Sequence, residues 1–125
     1  MEMEPEAFER RTYPRRKVRE GAFAVLPADL RLGPIDDISK GGLTFCYVPL
    51  DESKSDSNEL EIYFATDGFY LKKIPFETVS DFSVDENLPF KYVERRRHRL
   101  KFGDLSAFQQ IQLAHFIENY TENGQ

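Results

Sequence analysis

One cysteine, two histidines and no long apolar run set the first limits on this 125-residue chain. A lone Cys46 excludes an internal disulfide and a cysteine-rich zinc site, and it fits a reduced, cytoplasmic setting. His98 and His115 lie far apart with no cysteine or acid at metal-ligand spacing, so no metal site is expected. No segment approaches the ~20 apolar residues that a membrane-spanning helix needs. The opening MEMEPEAFER is acidic and has no apolar stretch, unlike a secretory signal. Cys46 lacks the base and orienting group that a nucleophile requires, which makes it a small core residue. With no catalytic constellation and no cofactor motif, an enzyme is the least supported class.

What the chain does contain is unevenly placed charge. There are 22 acids against 17 bases, a formal net charge of -5. Six of the bases nevertheless fall in RRTYPRRKVR, residues 10–19, and five more in RRRHRLK, residues 95–101. Neither run holds an acid. An acidic molecule with one or two concentrated basic patches attracts a small anion locally. It does not coat a long polyanion, because a general nucleic-acid binder is usually basic overall. A small barrel that binds single strands is disfavoured on the same ground.

At this length one domain is expected. After a polar tail, short runs rich in Phe, Tyr, Val and Ile alternate with Gly, Pro, Asp and Ser, which is strand chemistry. Leu60, Ile62 and Phe64 alternate with Glu61, Tyr63 and Ala65, a period of two. Asp67-Gly68 between aromatic-rich runs marks a hairpin. LDESKSDSNE reads as a loop. Ser106 with Gln109 forms a capping-box pattern, and Leu113, Phe116, Ile117 and Tyr120 then share one helical face. About six strands followed by one helix predict an antiparallel barrel or sandwich with a terminal helix packed on it.

Two stretches carry chemistry. In DISKGG, a strand end would turn Ile38 into the core and Asp37 and Ser39 outward. Gly41 and Gly42 would then permit a sharp turn and leave bare backbone that another molecule could approach. In the basic run, Arg11 and Arg15 lie four apart, about 13 Å if extended, which suits two ends of a sizeable anion. Pro14 favours a loop or tether over a helix. In RRRHRLK, period two sets Arg96, His98, Leu100 and Phe102 on one face and Arg95, Arg97, Arg99 and Lys101 on the other. Most of these cations are expected to be solvated or paired, with one or two bordering a ligand.

Arg11-x-x-x-Arg15 followed by Asp37-x-Ser39-x-x-Gly42 resembles the paired RxxxR and (D/N)xSxxG signature of PilZ domains. The closing RLKFGDLSAFQQIQLAHFIENY is similar to that family's last strand and terminal helix. The resemblance implies an all-β fold, a six-stranded antiparallel β-barrel plus a C-terminal α-helix, in a bacterial receptor for cyclic di-GMP. Residues 1–9 would be a polar tail and 10–123 the domain, with 10–20 a ligand-binding arm, 21–103 the barrel and 106–121 the helix. Arg11 and Arg15 would clamp phosphate and guanine. Asp37 and Ser39 would bond the ligand from the barrel, and Gly41 and Gly42 would allow its close approach. Arg10, a basic residue just before RxxxR, implies two ligands per protomer.

The chemistry of the residues agrees with that implication. A carboxylate repels phosphate, so a plain anion site has no use for Asp37. Guanine presents N–H donors for a carboxylate, and O6 and N7 for an arginine fork. The expected mechanism is an order–disorder switch: ligand neutralises repelling cations, the arm wraps onto the barrel, and the new surface meets a protein effector. The alternative is a barrel of the same kind acting as a protein-interaction adaptor without nucleotide.

Overall fold

The computed structural model describes residues 14–29, 31–49, 58–84 and 94–122. The tail at 1–9, Arg10, Arg11 and most of the LDESKSDSNE loop lie outside the described residues.

Among the described residues, seven strands and one α-helix follow in order: β1 (Arg16–Lys17), β2 (Ala22–Leu26), β3 (Arg31–Ser39), β4 (Gly42–Tyr47), β5 (Glu59–Phe64), β6 (Phe69–Ser83), β7 (Arg96–Phe102) and α1 (Ala107–Tyr120). Hydrogen bonds run in the order β3-β2-β5-β6-β7-β4, and β4 pairs back onto β3. Every pairing in the ring is antiparallel. The result is the closed six-stranded antiparallel β-barrel with one C-terminal helix that the sequence implied. Closure depends on β3. Its first half, Arg31 to Pro34, pairs with β2, and its second half, Ile35 to Ser39, pairs with β4. β1 takes the edge that β2 leaves, setting Arg16 opposite Ile38 and Lys17 opposite Asp37.

Period-two patterning fills the interior. Ala22, Ala24 and Leu26 of β2, Leu60, Ile62 and Phe64 of β5, and Leu43, Phe45 and Tyr47 of β4 are all buried. The β5–β6 hairpin closes with Phe64 opposite Phe69, and Gly68 supplies the left-handed residue of its loop at φ 73°.

Helix α1 starts on the expected capping box. Ser106 Oγ accepts from Gln109 N at 3.0 Å, and Gln109 Oε1 accepts from Ser106 N at 2.9 Å. The same Gln109 donates to the carbonyls of Lys72 and Lys73 at 3.1 and 2.8 Å, fastening the helix start to a kink in β6 where Lys73 has φ 58°. The helix buries Leu113, Phe116 and Tyr120. Tyr120 stacks on Phe64 with centroids 4.1 Å apart, and Phe116 meets Phe69 at 5.2 Å. Fully burying one such ring stabilises the fold by ~1.5–3 kcal/mol. Ile117 is half-buried, while Phe108 and Ile111 face solvent. Among the described residues no helix is long and apolar enough to cross a membrane.

Candidate functional site

The sequence expects a loop or tether across residues 10–20, but Arg16–Lys17 forms a short strand. Two partners hold it. Val18 N donates to Asp36 O at 3.0 Å on the β3 side. On the other side Arg19 N donates to Tyr120 O at 2.9 Å, and Glu122 N to Lys17 O at 2.8 Å. Arg15, just before this strand, donates from Nη1 to Asp37 Oδ1 at 2.5 Å. The two sequence stretches that carry the chemistry therefore meet. Their side chains are 32% and 34% exposed, so water screens the pair and leaves it open to competition by a ligand.

Strand register extends the site across the barrel wall. Lys17 lies opposite Asp37, Asp37 opposite Thr44, Thr44 opposite Arg99, and Arg99 opposite Ser80. These five residues on five neighbouring strands form one transverse row, spanning about 19 Å at ordinary strand spacing. Further along β7, Arg97 sits opposite Phe82, whose ring is 48% exposed. Together with Arg15 and Asp36 these residues line an open groove of ≈ 600 Å³, within the usual size range of small-ligand sites.

A bulge explains Asp36. The β3–β4 register shifts between Ile35 and Asp37. The extra residue breaks the alternation, so Asp36 and Asp37 are both half-exposed between buried Ile35 and Ile38. Arg97 Nε lies 3.6 Å from Asp36 Oδ2. Cys46, expected in the core, is only half-buried, and its Sγ donates to the same oxygen at 3.4 Å. Burial, then the Asp36 charge, pushes the Cys46 thiol up, so it stays protonated and unreactive. The groove thus sets four cations (Arg15, Lys17, Arg97 and Arg99) against two carboxylates. The pattern RRRHRLK displayed the right face, but only the register of β7 against β4 and β6 shows that Arg97 and Arg99 border the groove. Asp36, Thr44, Ser80 and Phe82 carried no recognisable signal in the sequence.

Behind the groove, β7 is anchored from inside. His98 is 2% exposed between Arg97 and Arg99, stacked on Phe45 at 5.3 Å, with Nε2 2.9 Å from Thr78 Oγ1. Its Nδ1 is buried without a hydrogen-bond partner among the described residues, 3.9 Å from Asp81 Oδ2. Asp81 accepts from Tyr47 OH at 2.7 Å, from Arg96 Nε at 2.8 Å and from Arg31 Nη1 at 3.3 Å. Burial alone would raise the Asp81 pKa, but the bonds from Tyr47 and Arg96 outweigh it and hold the carboxyl below its usual value. Tyr47 is pushed up to about 12, first by burial and then by Asp81. Burial also pushes His98 below its ordinary value, against the pull of Asp81. Period two sets the imidazole inside and Arg97 and Arg99 outside, and burial favours the neutral imidazole.

The Ser39–Gly42 turn differs from its expected form. Ile38 is fully buried as expected, but Ser39 is only 5% exposed, because its Oγ accepts from Gly41 N at 3.0 Å and closes the turn. Gly42 faces β7: a Cβ there would lie 2.1 Å from the Leu100 carbonyl oxygen. The space beside it is occupied by the barrel's own backbone. Arg10 and Arg11 lie outside the described residues.

No family model matches the chain, and no curated protein matches it by sequence. Among solved structures, the barrel and helix match the PilZ domain, with c-di-GMP, of YcgR from Escherichia coli. The TM-score is 0.60 at 17% identity, covering 89% of this chain and 91% of that one. The chain therefore has a PilZ-like fold.

Proposed function

We propose that the chain is a bacterial, cytoplasmic receptor for cyclic di-GMP. The observation that carries this reading is the Arg15–Asp37 contact at the edge of a groove with two more cations than carboxylates. Cyclic di-GMP carries two phosphate charges and two guanines, so the surplus charge and the base-reading carboxylate each have a counterpart. The similar fold of a PilZ domain solved with c-di-GMP supports the same ligand.

In this reading Arg11 and Arg15 clamp phosphate and guanine, and Asp37 accepts from the guanine N–H groups. Ser39 keeps its hydroxyl proton for a ligand oxygen. Gly41 offers bare backbone to the ligand, and Gly42 acts through its packing on β7. Arg10 favours two ligands per protomer. Binding orders the arm and presents a surface to a protein effector.

Calorimetric titration with cyclic di-GMP, using GTP and cyclic di-AMP as controls, tests the reading on wild type and Arg15→Ala. Wild type should bind cyclic di-GMP selectively, at two per chain. Arg15→Ala should lose ~2–4 kcal/mol, the range for truncating one partner of a desolvated charged pair. Equal affinity in the two proteins refutes the assignment, and a stoichiometry of one refutes the role given to Arg10.

A further inference from the structure

The groove contains a second arginine–aspartate pair that the sequence signature does not include. Arg15–Asp37 joins the arm to β3, and Arg97–Asp36 joins β7 to β3 across β4. Stability is a weak reason for the second pair. Its side chains are 46% and 39% exposed and 3.6 Å apart, so the contact is screened and loose. Phosphate binding is no reason either, since Asp36 subtracts from the positive field. What brings Asp36 into the groove is the β-bulge, a device often found where a strand must re-aim a side chain at a site.

We infer that Asp36 and Arg97 form a second guanine-reading pair, equivalent to Asp37 and Arg15. The inference rests on the cyclic di-GMP reading and adds to it. Of the two ligands proposed per chain, the one seated in the groove presents two sets of N–H donors and two O6/N7 edges, and two pairs of one carboxylate and one guanidinium match them one for one. Lys17 and Arg99 line the same groove with no ion-pair partner among the described residues, which leaves them to share the phosphates with Arg15. Phe82, opposite Arg97, adds an exposed ring beside the second pair for base stacking.

The discriminating ligand is cyclic GMP–AMP, which keeps the ring and both phosphates but replaces one guanine by adenine. Adenine turns an acceptor nitrogen toward a carboxylate where guanine turns a donor. Wild type should therefore prefer cyclic di-GMP by about tenfold or more, the scale of one good base contact. Asp36→Asn should weaken cyclic di-GMP by a similar factor and bind the two ligands within about threefold of each other. Arg97→Gln should shift the preference the same way, with thermal melting of both variants as the check on folding. The sign separates the inference from plain electrostatics, because removing an acid near phosphates should otherwise tighten binding of both ligands. If Asp36→Asn keeps the wild-type preference, or strengthens or weakens both ligands alike, the second pair does not read a base and the inference fails. If wild type binds neither ligand, the receptor reading fails and the inference with it.

Discussion

Replacing Gly42 by alanine separates two meanings of the Gly41-Gly42 pair. A Cβ at residue 42 would meet the Leu100 carbonyl oxygen at 2.1 Å and the Lys101 Cα at 3.1 Å. Neither atom can move cheaply. Leu100 is 1% exposed, and Phe102 N, two residues on, donates to Gly41 O at 2.8 Å. Relief requires β4 and β7 to separate by about 1 Å at the seam that helps close the barrel. Overpacking a core with a flexible neighbour costs ~1–3 kcal/mol, so a backbone neighbour places this variant at ~3 kcal/mol or above. In a domain of this size that lowers the melting temperature by roughly 12 °C. Gly68→Ala is the control: its φ is 73° but nothing lies within 4 Å of the added carbon. Only backbone strain of ~1–2 kcal/mol should appear there. Thermal and urea unfolding of the two variants, with cyclic di-GMP titration of the folded fraction, reads both effects. Gly42→Ala should unfold easily yet keep near-normal affinity while folded. A wild-type melting temperature combined with lost binding would refute this reasoning and assign the bare Cα to the ligand.

Two further outcomes follow from the buried polar groups and the helix start. His98 is neutral in the fold and its pKa lies below the ordinary 6.5, so below pH 6.5 the unfolded chain takes up a proton that the folded one refuses. Stability should therefore fall as pH drops through 6.5 toward the folded-state pKa, and urea unfolding of His98→Asn between pH 7 and 5 should show a flatter profile; an unchanged slope would refute the assignment. Ser106→Ala should cost about 1 kcal/mol by removing the cap, read as a lower urea midpoint, and Gln109→Ala should cost more, because it also releases the carbonyls of Lys72 and Lys73.

Local rules were legible where one element alone decides the outcome. Period two in β5 and β7 grouped Leu60 with Ile62 and Phe64, and His98 with Leu100, on faces that the barrel buries. The capping box of α1 needed only Ser106 and Gln109. What stayed hidden depends on a partner strand distant in sequence. The bulge that exposes Asp36 exists only against β4. Arg16–Lys17 has no apolar pattern and becomes a strand because β3 and the end of α1 offer it hydrogen bonds. Ser39 alternates outward by position yet is covered, because a hydroxyl next to a tight turn finds the Gly41 N–H first. Asp81 draws Tyr47, Arg31 and Arg96 from three other strands, an association that no sequence window contains.

Ring closure bears on how the proposed receptor would meet a partner. Each barrel strand has neighbours on both sides, and the outer edge of β1 is taken by residues just after the helix, with Val18 bridged to Thr121. Among the described residues the barrel strands offer only partial edges, such as Thr78–Ser83 of β6, which pairs with β7 alone, so a partner adding a strand of its own would find a short one to extend. An effector of the proposed receptor would therefore grip mainly side chains and surface charge. Such a readout would be a matter of shape and polarity, open to tuning by single substitutions that leave the backbone untouched.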